Sequence, residues 1–222
     1  MFPLRKKYKI TDLKIPEIFR NRKALRERFK IVIIDDEEFP SIKKENLENR
    51  GFNITTLRDC SQANLLADYP IVISDVNGVA KDLDPEKQGI ALITQIVKQY
   101  PYKAVGIYSG HPRLIPTLPA SVVLINKDDN VDAWEEKIDE LIDRISSPKR
   151  VWQKLAKILI DNEIPAEQIA DIEDDFVHRV LKRKSFIDFP ATKYHLETNT
   201  LSVLNGVVSN GIFFGLTKML GV

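Results

Sequence analysis

Four polar groups in this chain each stand at the end of a short apolar run: Asp35-Asp36-Glu37, Asp75 after Ser74, Ser109 and, after Asn126, Lys127. Clustered carboxylates repel one another, and a hard divalent cation such as Mg²⁺ relieves that repulsion by taking oxygen ligands in octahedral geometry. A carboxylate beside such an ion can attack phosphorus. The metal orients the transferred group, while an ammonium and a hydroxyl meet its oxygens. Asp35, Asp36 and Asp75 are therefore the candidate metal ligands, with Asp75 as nucleophile and Lys127 and Ser109 as its partners. The product would be an acyl phosphate on Asp75.

For distant residues to share one pocket, the elements before them must lie side by side. Five apolar runs are legible: 31–34, 54–57, 71–73, 104–108 and 122–125. Helix-like stretches near 41–49, 61–67, 88–99, 111–117 and 131–146 follow them, the pattern of parallel strands joined by crossover helices. Ile90, Ile93, Ile96 and Val97 share one face of the third stretch, whereas Pro112, Pro116 and Pro119 interrupt the fourth. The fold class expected is α/β, a five-stranded parallel sheet with helices on both faces, followed by an α-helical C-terminal module. In a doubly wound sheet, ligands collect at the carboxyl ends of the strands, where the polar groups stand.

Over residues 29–146 the sequence resembles the receiver domain of two-component response regulators. The acidic pair after the first strand corresponds to Asp35 and Asp36, the phosphoacceptor to Asp75, the switch hydroxyl to Ser109 and the phosphate-binding lysine to Lys127. Gly89-Ile90-Ala91-Leu92-Ile93 is similar to the glycine-led start of the family's third helix. The resemblance implies a flavodoxin-like fold, dependence on Mg²⁺ with the Asn77 backbone carbonyl as a further ligand, and phosphate taken from a histidine on a partner kinase.

The chain also departs from that pattern. Leu124 stands three residues before Lys127, where many members carry an aromatic switch residue, and Asp128 stands where a proline often follows the lysine. The family's usual rotamer switch thus lacks its aromatic; Tyr108, just before Ser109, is a substitute reporter or a packing residue. A charged insertion, Lys81-Asp82-Leu83-Asp84-Pro85-Glu86-Lys87, lies between Asp75 and Gly89 and is a candidate partner contact. Asn77 can orient water without deprotonating it and so should tune the lifetime of the acyl phosphate. Ile71 to Val79 also resembles the first motif of haloacid-dehalogenase-type phosphatases, but Asn77 replaces the aspartate that would protonate a leaving alcohol.

The 222 residues, 43% hydrophobic and 29% charged, suit a soluble globular protein with one large domain or one domain plus an appendage. One cysteine, Cys60, and no apolar signal segment near Met1 point to a reduced, cytoplasmic setting. The net charge of +1 conceals a basic head: residues 1–30 hold eleven Lys or Arg against three acids. Such an arm attracts nucleic acid or anionic lipid, or packs against the acidic body.

Beyond Ile145, Ser147 reads as a helix cap with Pro148 at the first helical position. Val151, Trp152, Leu155, Ile158 and Leu159 form one stripe, and Ile169, Ile172, Phe176, Val180 and Leu181 a second, after Pro165. This is a helical hairpin whose stripes make a core or a dimer surface. Residues 148–200 hold nine basic and nine acidic side chains, including Glu173-Asp174-Asp175, a poor footprint for DNA. Residues 201–222 are largely apolar with Lys218 as their single charge, suited to burial in this or a sister subunit or to contact with a membrane surface. His111, His178 and His195 have no zinc-ligand spacing.

The expected organisation is a basic arm at 1–28, a receiver domain at 29–146 and a helical output or oligomerisation module at 147–222. The expected role is signalling rather than turnover of a substrate. A sensor histidine kinase or phosphotransfer protein would supply phosphate, and copies of the chain would associate through the C-terminal module in the cytoplasm, at or near the inner membrane face. The alternatives are an unphosphorylated receiver-fold scaffold and an aspartate-nucleophile phosphatase.

Overall fold

The computed structural model describes residues 7–13, 21–182, 191–194, 196 and 200. Residues 21–145 form one compact unit, and residues 1–20 with 146–222 form another.

The first unit opens with a helix, α1 (Arg22–Arg28), inside the stretch read from sequence as a basic arm. The Asn21 side chain accepts from the Ala24 N–H at 3.1 Å and caps it. Leu25 is buried. Then follow β1 (Lys30–Ile34), α2 (Ser41–Asn49), β2 (Asn53–Leu57), β3 (Ile71–Asp75), α3 (Gly89–Gln99), β4 (Ala104–Ser109), β5 (Val122–Asn126) and α4 (Val131–Ser146). The strands lie in the order β2-β1-β3-β4-β5, all parallel. This is the flavodoxin-like doubly wound arrangement.

Strands β1, β3 and β4 are almost wholly buried and read as continuous apolar runs, as expected of a parallel sheet covered on both faces. Val32, Ile34, Val72, Val105 and Ile107 pack with Leu92, Ile93 and Ile96 of α3. Alternation along the strands sends Ile31, Ile33, Ile71 and Ile73 to the opposite face. Two expected crossover helices are only 3₁₀ turns, Ala63–Leu66 and Pro112–Leu114. The second has a plain cause: Pro112 fits the first turn, but Pro116 and Pro119 lack the N–H groups a longer helix needs.

In the second unit, α5 (Pro148–Asp161) is capped by Ser147, whose hydroxyl accepts from the Arg150 N–H, and α6 (Ala166–Leu181) follows after Pro165. Val151, Trp152, Leu155 and Leu159 of α5 are buried, as are Ile172, Phe176 and Val177 of α6. The rings of Trp152 and Phe176 lie 5.4 Å apart. Residues 7–13 run along α6: Lys7 pairs with Asp171 at 2.7 Å, and the Tyr8 and Ile10 N–H groups donate to Asp174 and Glu173 at 2.8 and 2.9 Å. Part of the basic head thus packs on acids of α6. Among the described residues no helix is long and apolar enough to cross a membrane. His195 and the apolar stretch 201–222 lie outside the described residues.

Candidate metal and phosphoryl site

Asp35 is the first residue past β1, and counting by two from Ile31 and Ile33 sends its side chain to the face that Tyr108 occupies in β4. The geometry follows from that parity. The Tyr108 hydroxyl donates to Asp35 Oδ2 at 2.5 Å, and the Glu37 N–H donates to Asp35 Oδ1 at 3.0 Å. Asp75 closes β3 in register with Tyr108, and its Oδ1 accepts from the Val76 N–H at 2.7 Å. Lys127, the first residue past β5, is tied to β4 through its N–H, which donates to the Ser109 carbonyl at 2.9 Å. Its ammonium reaches back to Asp75 Oδ2 at 2.7 Å and Asp35 Oδ2 at 3.3 Å.

Asp35, Asp36 and Asp75 each present an oxygen within 4.8 Å of the others, with Asp35 and Asp75 buried and Asp36 exposed. A cleft of about 460 Å³ lies over them, lined by Asp36, Glu37, Asp75, Asn77, Gly78, Lys81, Gln88 and Lys127. Three hard oxygen donors at an open cleft fit a Mg²⁺ ion that keeps several waters.

The loop after β3 shapes this cleft. Gly78 has φ +81°, and a Cβ there would meet the Asp36 carboxylate at 2.0 Å. Only glycine supplies both the left-handed backbone and the space. Gln88, itself at φ +47°, accepts from the Gly78 N–H at 2.6 Å through Oε1 and donates to the Pro85 carbonyl at 3.0 Å. The first bond joins the loop on either side of the charged insertion, of which Lys81 lines the cleft.

Burial raises the Asp75 carboxyl above its ordinary range, against the pull of the Lys127 ammonium. Burial also disfavours the Lys127 charge, but Asp75 and Asp35 outweigh it and its pKa sits above the usual lysine value. The pocket therefore holds a stable ammonium and a nucleophile whose charge is costly to keep there.

Of the residues singled out from sequence, Asp35, Asp36, Asp75, Asn77 and Lys127 converge on this edge. Ser109 closes β4 beside it, its Oγ accepting from the His111 N–H at 3.0 Å. Leu124, in the family's aromatic position, is partly exposed on β5. Tyr108, weighed as reporter or packing residue, makes a direct bond to a candidate ligand, and Gln88, Gly78 and Lys81 join the cleft. The Gly after Asn77 was the one sequence signal for these; nothing in the spacing of Tyr108 and Asp35 pointed to their bond.

Sheet order and pocket together make residues 21–145 a flavodoxin-like α/β unit with an acidic cleft at the carboxyl ends of its strands. No family model matches the chain, and no curated protein does. Among solved structures it is similar to NtrX from Brucella abortus, crystallised in complex with ATP, at 18% identity and TM-score 0.38. That match covers 68% of this chain but only 40% of NtrX. It is also similar to full-length FixJ from B. japonicum, at 15% identity and TM-score 0.39 over 87% of this chain and 98% of that one. RcsB from Salmonella enterica serovar Typhimurium, bound to a promoter in the presence of BeF₃⁻, matches at 17% identity and TM-score 0.37 over 82% and 99%.

Proposed function

We propose that this chain is a response regulator whose Asp75 accepts a phosphoryl group from a sensor histidine kinase, a phosphotransfer protein or a small phosphodonor. The observation that carries the reading is the Lys127 ammonium 2.7 Å from Asp75 in the cleft that also gathers Asp35 and Asp36. Mg²⁺ held by Asp35, Asp36, Asp75 and the Asn77 carbonyl would draw negative charge off the phosphoryl oxygens.

An Asp75 carboxylate oxygen attacks phosphorus as the bond from phosphorus to the donor's histidine nitrogen breaks. The electron pair stays on the imidazole, which recovers a proton, and Asp75 becomes an acyl phosphate. Lys127, already beside Asp75, pairs with a phosphoryl oxygen. Among the described residues Ser109 Oγ accepts from the His111 N–H, and its own hydrogen would donate to a second oxygen. The gain of charge biases an interface of the C-terminal helices through which copies of the chain associate. DNA is not the favoured output, because Asp171, Glu173 and Asp174 put acids along α6.

The test is incubation with radiolabelled phosphoramidate or acetyl phosphate and Mg²⁺. Label on the parent that chelator abolishes and Asp75→Asn lacks is the expected result; no label, or equal label on the variant, overturns the reading. One observation favours the unphosphorylated scaffold: Tyr108 is wedged between Phe39 and Trp134 with its hydroxyl bonded, so it has no free rotamer to switch. Amide spectra near Asp75 and Ser109 that ignore beryllofluoride with Mg²⁺ would decide for the scaffold.

A further inference from the structure

Asp35 is held at both carboxylate oxygens, Oδ1 by the Glu37 N–H and Oδ2 by the Tyr108 hydroxyl and the Lys127 ammonium. The two donors on Oδ2 are unlike. The ammonium is a cation that an entering divalent ion must displace or repel, and it already leans toward Asp75, 2.7 Å away against 3.3 Å to Asp35. The phenol is neutral: it stabilises the Asp35 charge without adding a positive charge to the pocket.

The phenol is also immobile. Tyr108 is completely buried, its ring edge-on to Phe39 at 6.3 Å and to Trp134 at 5.4 Å, with Phe39 and Trp134 themselves 5.3 Å apart. Trp134 is fixed in turn by its indole N–H, which donates to the Asn126 carbonyl at 3.1 Å. The oxygen that meets Asp35 is therefore set by the core of the sheet face, not by the loops around the cleft.

We infer that Tyr108 is a positioning residue for the divalent-cation site, locking the Asp35 carboxylate at the angle that presents its remaining lone pairs to the ion and keeping Oδ2 from collapsing onto Lys127. The inference rests on the reading of Asp35, Asp36 and Asp75 as cation ligands, and it assigns to β4 a part in cation affinity that none of those ligands supplies. Partners of this kind behind a metal ligand typically matter by about 10- to 100-fold in affinity.

The experiment is titration of the full chain with Mn²⁺, free ion being read by electron paramagnetic resonance, for the parent, Tyr108→Phe, Asp35→Asn and the double variant. Phenylalanine keeps the ring packing and deletes only the hydroxyl. Tyr108→Phe is expected to bind about tenfold more weakly, and to add no further loss in the Asp35→Asn background. Unchanged affinity in Tyr108→Phe, or a loss that adds in full to that of Asp35→Asn, overturns the inference while leaving the cation site standing. No binding by the parent overturns both. Should Tyr108→Phe fail to fold, the parent alone still decides: Mg²⁺ is expected to shift the ζ-carbon resonance of labelled Tyr108, and a resonance that ignores the ion sinks the inference.

Discussion

The carbonyl oxygen of Asp75 lies so close to the first residue of α3 that a Cβ on Gly89 would stand 1.8 Å from it. The Gly89 N–H donates to the Val76 carbonyl at 3.1 Å in the same contact. Gly89→Ala must push the helix away from the strand that carries the nucleophile. A loss of about 1–3 kcal/mol, the usual scale of overpacking, is expected in urea denaturation, together with slower labelling of Asp75. A variant as stable and as fast as the parent would show that the contact does not matter.

Asp75 ties stability to pH. Its carboxyl is raised in the fold by burial, so the folded protein holds this proton more tightly than the unfolded chain. Its contribution is complete below the unfolded value near 3.8 and is lost as pH rises through the folded value. In metal-free buffer, Asp75→Asn should therefore gain on the parent in denaturant midpoint between pH 4 and neutrality, and Mg²⁺ should close the gap by stabilising the parent alone. A gap that is flat with pH would refute this.

Divalent cation should also stabilise through mass action. At a hundredfold excess over its dissociation constant an ion adds about 2.7 kcal/mol to a protein that binds it only when folded. Thermal scans with Mg²⁺ should raise the parent's midpoint, and Asp35→Asn or Asp36→Asn should show a smaller rise. Equal shifts in all three would place the ion elsewhere.

Lys103 is a buried lysine at the opposite end of β4 from the cleft. It donates to the carbonyls of Leu66, Ala67 and Tyr69 at 2.8, 2.8 and 2.7 Å, and burial lowers its pKa to about 8. A lowered base means that the unfolded chain binds the proton more tightly, so this group's contribution to stability rises between about pH 8 and 10.5. Lys103→Met should cost about 1–3 kcal/mol at pH 7, by leaving the buried Leu66 carbonyl and the half-buried Ala67 and Tyr69 carbonyls without this donor, and should remove that alkaline slope. Denaturation curves at pH 7, 8 and 10 check both.

Arg26 clasps α1 to α4, donating to Asp139 at 2.9 and 2.6 Å and to Glu135 at 2.5 Å while its guanidinium stacks over the Phe52 ring. Arg50 shares Glu135. Arg26→Met should destabilise by about 2 kcal/mol, less than a fully buried pair because the carboxylates reach water. Urea denaturation measures it, and high salt should shrink the difference.

Most of the sheet was legible because its strands are buried on both sides and so stand out as short β-branched runs: Ile31 to Ile34 and Ile71 to Ile73 have no other reading than strand once flanked by polar turns. The candidate site was legible for the same reason, since Asp35, Asp75, Ser109 and Lys127 fall where those runs stop. Helices bounded by capping chemistry were also readable, as at Ser147. The stretch 61–67 failed because a single 3₁₀ turn suffices to bury Ala63 and Leu66, and α1 was hidden by its charge, although Asn21 three residues before Ala24 and an apolar Leu25 were the cap signal. The bond from Tyr108 to Asp35, 73 residues apart, depends on strand order and register together, which no local pattern encodes.

Tyr8 meets Asp174 across 166 residues of chain. During synthesis the head emerges from the ribosome well before its partner helix exists, so the unit that joins both ends can close only after residues 21–145 have been made. Its closure awaits the synthesis of α6, and a ribosome stalled before that helix would leave Lys7 and the Tyr8 and Ile10 N–H groups without their carboxylate partners.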